Sequence, residues 1–340
     1  DAAAKDSLVL DLFFNSEIKI REIHSHITQT NEVYFSQIDA SLKTSNGDYH
    51  FDRDEIDSSL IQNIKAGKSV MLVGESGSGK SAILKNYYEK VKDDDNIAFY
   101  IVNAAQLDTN IVNDIFNLHV AYTIVNFTRF YDHCKTKVMV IDSAEKLLLN
   151  ANKLAVNLLV NELLDKGWTF IFTCRQNSQA EVDKYLKSKL TISAQSINVP
   201  QITKDELYKF AGSYDIALPP NERLLERLTN LFYLARYVEL NIIDATRLTL
   251  QSFRDEVWNQ KVRGGEYGAR GQYREDTMLA IIEDQVTNNR YFTPKQGLNH
   301  EAAYALVSDD VLSDNRLRGY SAKHDIYAEW AMDYILERKY

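Results

Sequence analysis

Only two cysteines, Cys134 and Cys174, occur among the 340 residues. Two cannot form a disulfide framework, and Cys174 lies in an apolar run that reads as a buried strand. Both are therefore expected as free thiols in a reducing compartment. No stretch approaches the roughly 20 apolar residues that cross a bilayer, and no charged-then-apolar leader opens the chain. The expectation is a cytoplasmic protein with no membrane partner. An excess of basic charge is missing too: the formal net charge is −9, which removes any global attraction to nucleic acid or anionic membrane. There is no internal repeat, and no low-complexity tract apart from one Gly-rich stretch. A methionine is absent from the start, Asp1-Ala2-Ala3-Ala4-Lys5. That start reads as a fragment boundary or added residues, with a further domain expected upstream.

What is present is ordinary globular composition, 45% hydrophobic and 26% charged, in a chain long enough for two or three domains. Ser7 to about Leu42 has a helical pattern, broken by turn chemistry at Thr44-Ser45-Asn46-Gly47-Asp48. Short apolar strands are then expected at Ser69–Val73, Ile97–Val102, Lys137–Ile141, Trp168–Thr173 and Ser196–Val199. Helices alternate with them at Lys80–Val91, at Leu107–His119 continuing in pieces to Asp132, and at Lys146–Leu164. This alternation predicts an α/β fold with a doubly wound parallel sheet. After Pro200 the pattern is helical: Lys204–Gly212, Asn221–Leu228, Phe232–Val238, Asp244–Trp258, Met278–Val286, His300–Val307 and Asp325–Arg338. Two features interrupt it, a basic Gly-rich stretch from Lys261 to Arg274 and a hairpin pattern with its turn at Ser313-Asp314-Asn315.

Chemistry is concentrated at three strand ends. Gly74-Glu75-Ser76-Gly77-Ser78-Gly79-Lys80-Ser81 meets the G-x(4)-G-K-[ST] pattern between a strand and a helix. Backbone N–H groups of such a loop and the following helix N-terminus, here through Ala82, cradle the α- and β-phosphates of a nucleotide. Lys80 reaches the β- and γ-phosphates and Ser81 ligates Mg²⁺. The strand Val138-Met139-Val140-Ile141 ends in Asp142, the expected second anchor for Mg²⁺. Glu145 follows within one turn and is the candidate to orient the attacking water. Many proteins of this kind place a Glu directly after the Asp, where this chain has Ser143. The fourth strand ends Thr173-Cys174-Arg175, and Arg175 is positioned to sense a γ-phosphate.

Taken together, the phosphate loop, the Ile141-Asp142…Glu145 strand end, the Thr173-Cys174-Arg175 strand end, the helical region and the closing helix–hairpin–helix resemble the STAND class of P-loop NTPases. More narrowly, His50 to Tyr340 resembles the ATPase core of prokaryotic antiviral members of that class. The resemblance implies ATP and ADP with Mg²⁺ as cofactors. It also implies that His50-Phe51-Asp52-Arg53 lies against the adenine, with Arg53 a binding residue, and that Thr229–Leu234 lies near base and sugar. Leu231 stands where the family has a proline. His324 matches a winged-helix histidine that touches the β-phosphate of bound ADP. The organisation expected is an N-terminal helical linker or packing segment over 1–48, a P-loop ATPase domain over 49–202, a helical lid over 203–260, a mobile loop over 261–274 and a winged helix over 275–340.

The implied function is a switch, closed with ADP and opened with ATP, that assembles into a homo-oligomer and activates an effector domain in antiviral defence. Its trigger, a protein such as one from a phage, is sensed outside this chain. The competing expectation is an AAA+ ATPase with a winged helix acting in DNA handling or protein remodelling, supported by the basic Gly-rich stretch. The candidate recognition helix Asn299–Val307 contains no Lys or Arg, and Asp309-Asp310 follows it, so direct nucleic-acid binding by this core is not expected. A third expectation is a nucleotide-stabilised scaffold that does not hydrolyse, which Ser143 keeps open.

Overall fold

The computed structural model describes residues 22, 24–44, 47–109, 112–115, 124–150, 153–242, 244–265, 268–315 and 318–339. The chain divides into two compact units. The first takes the residues up to Ala40 with Asp52–Glu75 and Gly79–Pro200; the second takes Ser41–Phe51, Ser76–Ser78 and Gln201–Tyr340.

Helix α1 covers 24–36. A hairpin of β1 (Leu42–Thr44) and β2 (Gly47–Tyr49) comes next and belongs to the second unit. The expected N-terminal segment is thus divided, α1 going with one unit and the hairpin with the other; its residues before 22 lie outside the described residues. The first unit continues with α2 (Asp54–Lys65), β3 (Val70–Val73), α3 (Lys80–Val91), β4 (Ile97–Asn103), α4 (Val112–Ile115), α5 (Ile124–Phe130), β5 (Thr136–Asp142), α6 (Leu154–Asp165), β6 (Thr169–Cys174), α7 (Gln179–Lys189) and β7 (Gln195–Asn198).

The five strands β3 to β7 form one parallel sheet in the order β4-β5-β6-β3-β7. Val70 to Val73 are all buried, as are Val138 to Asp142, the signature of parallel strands covered on both faces. Alternate residues feed two cores. Met71, Val73, Met139, Ile141, Phe170 and Phe172 face α5, α6 and α7. Val70, Leu72, Val138, Val140 and Ile171 face α2 and α3. The doubly wound parallel sheet expected from the alternation is the fold. Helix α1 is pinned to it: Asn31 Nδ2 donates to Phe99 O at 2.8 Å, Asn31 Oδ1 accepts from Ile101 N at 3.1 Å, and Phe35 stacks on Tyr88 at 4.8 Å.

Two expected helices are shorter than their patterns. Lys146–Leu164 resolves into a 3₁₀ turn at Ala144–Leu148 and then α6. The expected Leu107–His119 helix and its continuation appear as α4 and α5, with 116–123 outside the described residues.

The second unit contains α8 (Lys204–Tyr214), α9 (Glu222–Arg227), α10 (Leu231–Glu239), α11 (Leu250–Val257), α12 (Ala269–Thr287), α13 (His300–Ser308), β8 (Leu312–Asn315), β9 (Gly319–Ala322) and α14 (Asp325–Lys339). A capping box starts α8, with Thr203 Oγ1 accepting from Glu206 N at 3.1 Å and Glu206 Oε2 accepting from Thr203 N at 2.6 Å. The helices expected as a lid and those expected as a separate C-terminal domain share one hydrophobic cluster containing Phe253, Trp258, Met278, Tyr327 and Trp330.

The basic stretch 261–274 is less of a loop than its glycines suggest. A π-helical turn at Trp258–Val262 extends α11, and α12 already begins at Ala269; residues 266–267 lie outside the described residues. Internal pairing explains the helix. Arg263 donates to Glu275 Oε1 and Oε2, both at 2.9 Å, Arg274 donates to Val262 O and Lys261 O, both at 2.8 Å, and Lys261 pairs with Glu239 at 2.9 Å. Glu275, 1% exposed, also accepts from Trp258 Nε1 at 2.7 Å and Arg338 Nη2 at 2.7 Å.

The hairpin turn lies later than expected. Ser313-Asp314-Asn315 is strand, paired so that Asn315 opposes Gly319. Asn315 Oδ1 accepts from Arg318 N at 3.1 Å, and Gly319 has φ +109°. Thr293 adds a single bridge to Tyr320, so close that a Cβ on Gly319 would overlap Thr293 O. Gly is the residue that admits both this backbone angle and this approach.

Candidate active site at the carboxyl edge of the sheet

In an open α/β sheet, ligands bind beyond the carboxyl ends of the strands. Here those ends are Val73, Asn103, Asp142, Cys174 and Asn198, aligned by register: Val73 opposes Cys174 and Asn198, and Asn103 opposes Asp142. Gly74 N extends the ladder by donating to Cys174 O at 3.2 Å. The chain then enters the phosphate loop, where Gly77 (φ +78°) and Gly79 (φ +96°) take left-handed angles that disfavour a side chain. Helix α3 begins at Lys80, leaving the first-turn N–H groups of Lys80, Ser81 and Ala82 without intrahelical acceptors. Lys80 Nζ arches back across the loop and donates to Gly74 O at 2.9 Å and Glu75 O at 2.7 Å. Glu75 is exposed, Ser76 and Gly77 are half-buried and Ser78 is buried.

Asp142, 8% exposed, sits at the centre of a polar row across three strands. Its Oδ1 accepts from Thr173 Oγ1 at 2.6 Å, and its Oδ2 accepts from Ser143 Oγ at 3.3 Å and Asn103 Nδ2 at 3.4 Å. The carboxylate does not cap the 3₁₀ turn that follows. Ser143 turns the chain out of β5 through a left-handed angle, φ 58°, and its N–H donates to Thr173 Oγ1 at 2.8 Å. Such a conformation for a non-glycine residue is costly and needs local support; Thr173 gives it. Thr173 is read from the sequence only as part of the Thr173-Cys174-Arg175 strand end, and Asn103 is not read as a site residue. Each is a buried or half-buried polar residue at the end of an apolar strand, and that contrast was the available signal.

Glu145, in the 3₁₀ turn, pairs with Arg175, Oε1 to Nε at 3.6 Å, with side chains 16% and 28% exposed. Lys80 and this pair are gathered around the end of β6. The Cys174 thiol is pushed up to about 12, chiefly by burial and also by the Glu145 charge, against the opposing Lys80 and Arg175 charges. Cys174 is therefore a neutral, unreactive thiol at physiological pH; Cys134 is also free and buried.

Among the described residues no cluster of three or more His, Cys, Asp or Glu could hold a metal by itself. Mg²⁺ beside a nucleotide is commonly held by one or two carboxylates together with substrate phosphates and water. One buried carboxylate, Asp142, and one half-buried hydroxyl, Ser81, are the protein donors available.

The remaining candidates have other partners. Arg53 precedes α2, and its Nη2 donates to Pro200 O at 3.0 Å. In the second unit, His324 stacks on Phe232 at 4.1 Å and 25°, while its Nδ1 accepts from Ile326 N at 3.2 Å. The loop tip, Ser76–Ser78, packs with this second unit: Asn230 Nδ2 donates to Ser76 O at 2.7 Å.

Residues 53–123 match the family described as the P-loop containing dynein motor region. None of the curated proteins matches the chain. Among solved structures, a Walker-type ATPase of Pyrococcus abyssi is similar at 12% identity and a TM-score of 0.45, over 83% of this chain and 96% of that one. The ORC2 protein of Aeropyrum pernix, solved as ADPNP–ADP complexes, is similar at 12% identity and a TM-score of 0.42, over 82% and 91%. AMPPCP-bound DnaA from Aquifex aeolicus is similar at 11% identity and a TM-score of 0.42, over 75% and 85%. The strand order, the phosphate loop between β3 and α3, and the matched segment make the first unit a P-loop NTPase core. No helix among the described residues is long and apolar enough to cross a membrane.

Proposed function

We propose that this chain is a Mg²⁺-dependent, ATP-binding and ATP-hydrolysing switch of the STAND type, acting in antiviral defence through nucleotide-controlled assembly. The observation that carries the reading is the Glu145–Arg175 pair, set beside Asp142 and around the strand end that also feels Lys80. A γ-phosphate in the loop competes with Glu145 for the Arg175 guanidinium, since both are anions that Arg binds through its planar donors. With ATP, Arg175 turns to the phosphate and Glu145 is released to orient water. With ADP, the pair re-forms. The γ-phosphate therefore makes different contacts in two states, which is what a ligand needs to shift a population.

In this reading Lys80 neutralises the β- and γ-phosphates, and Ser81 with Asp142 holds Mg²⁺, whose chemistry is charge stabilisation of the transferring phosphoryl group. Thr173 and Asn103 keep the Asp142 carboxylate oriented through their hydrogen bonds. The α12, α13, β8–β9, α14 order is that of a winged helix, and His324, at the start of α14, is its candidate contact to ADP. The engagement of Lys261, Arg263 and Arg274 with Glu239, Glu275 and Asp309 speaks against this stretch as a DNA-reading element.

Glu145→Gln is expected to leave ATP affinity within about twofold and to slow turnover about 100-fold, the usual scale for losing a positioned base. Isothermal titration and phosphate release check the two halves, and an unaltered rate clears Glu145 of catalysis. The switch itself is tested by the solution mass with ADP and then with ATP and Mg²⁺, each with and without DNA. Assembly that needs ATP and not DNA supports the proposal. A stable ring with ADP, or assembly that requires DNA, replaces it with a DNA-handling AAA+ function.

A further inference from the structure

Asn230 is 5% exposed and uses both ends of its carboxamide. Oδ1 accepts from Phe232 N at 3.1 Å, capping α10, while Nδ2 donates to Ser76 O at 2.7 Å. Rotating the amide by half a turn would face donor to donor and acceptor to acceptor, so the two partners together fix its orientation. Gly77 follows at φ +78°, and a Cβ there would overlap Asn230 Oδ1 and lie 2.9 Å from Phe232 Cβ. Phe232 is itself packed, its ring stacked on His324 at 4.1 Å with Arg236 over the same ring at 5.6 Å.

In a trans peptide the C=O and the following N–H point to opposite sides. Holding Ser76 O against Asn230 therefore turns the Gly77 N–H away from Asn230. In a phosphate-binding loop the working groups are backbone N–H donors that converge on one anion, and each misdirected donor is lost to the site.

We infer that Asn230 is a positioning residue for phosphate binding: its carboxamide sets the Ser76–Gly77 peptide so that the Gly77 N–H faces the phosphates of the bound nucleotide. The inference rests on the nucleotide-binding reading above. It assigns Asn230 to the phosphates, whereas the resemblance places its segment near base and sugar. The absence of a side chain at Gly77 has the same origin, since the space is taken by Asn230 and Phe232.

Two substitutions in the full chain separate the loop contact from the helix cap. Asn230→Ser keeps an oxygen able to cap α10 but is too short to reach Ser76 O. Asn230→Asp keeps the cap and places a carboxylate against the Ser76 carbonyl. Binding of a fluorescent ADP is expected to weaken about tenfold in the first and about 30-fold in the second, the scale of losing one buried hydrogen bond and of adding a repulsion. The thermal midpoint without nucleotide is expected to stay within about 3 °C. The KM for ATP rises by the same factor as the ADP dissociation constant, with kcat at saturation unchanged, because ground and transition state lose the same donor. If the unsubstituted protein binds neither ADP nor ATP, the nucleotide reading fails. If it binds and both variants bind equally well, or if their affinities fall only in step with a lowered midpoint, the role of Asn230 is overturned and the nucleotide reading stands.

Discussion

Lys80→Ala is expected to abolish measurable nucleotide binding, a loss of roughly 100- to 1,000-fold in affinity. The ammonium is the one side-chain cation of the loop, and truncating one partner of a desolvated charge pair costs about 3–4 kcal/mol. Stability should change far less. Two of the bonds that Lys80 makes run to Gly74 O and Glu75 O, and Glu75 is exposed, so water can take over at its carbonyl once the side chain is gone. The pairing of outcomes is the test: titration calorimetry with ADP and ATP showing no binding, beside an unfolding midpoint within about 2 °C of the parent. Unchanged affinity would remove Lys80 from the phosphate site. A collapse of the fold would show that the lysine is needed to hold the loop itself.

Glu275→Ala is expected to produce the largest loss of stability in the second unit. The carboxylate is buried and receives donors from Trp258, Arg263, Gln272 and Arg338. The two guanidinium groups are 38% and 46% exposed and can rehydrate after truncation. Trp258 cannot do so: it is 2% exposed, and its indole N–H would be left buried without an acceptor. An orphaned buried donor costs about 1–3 kcal/mol and the cavity adds to it. A total of about 3 kcal/mol lowers the midpoint by roughly 10 °C for a unit of this size. Glu275→Gln keeps an acceptor for the indole while removing the charge, and should lose about half as much. Differential scanning calorimetry separates them, and equal midpoints for both variants and the parent would show that the cluster contributes nothing net.

The first unit was legible because parallel strands covered on both faces leave uninterrupted apolar runs. Each of β3 to β7 lies within a residue or two of its expected bounds, since few other elements make a short Val- and Ile-rich run flanked by polar turns. The phosphate loop was legible because its glycines are demanded by backbone geometry rather than by packing. What could not be read were contacts between distant segments. Glu145 is expected within one turn of Asp142, but nothing local shows that Ser143 enters a left-handed angle supported by Thr173, 30 residues on. Glu145 is consequently found against Arg175. The stretch 261–274 failed for the same reason. Its glycines and arginines suggest a solvated loop by local composition, and the buried Glu275 that organises the arginines lies just beyond it. Asn230 enters only as part of the Thr229–Leu234 segment, and its contact with the phosphate loop is not legible there because its partner is a backbone carbonyl.

The side-chain amide of Asn31 has a consequence for how copies of this protein can meet. Strand β4 is outermost in its sheet, and an outermost strand offers its free backbone groups as a template for another chain. Asn31 gives Phe99 O a donor and Ile101 N an acceptor, imitating one residue of the neighbour that is not there. Strand-to-strand addition, the route to domain swapping and to cross-β fibres, is closed on this side. An addition at this edge would first have to displace Asn31, whereas β7, the strand outermost at the other end of the sheet, lies away from this amide.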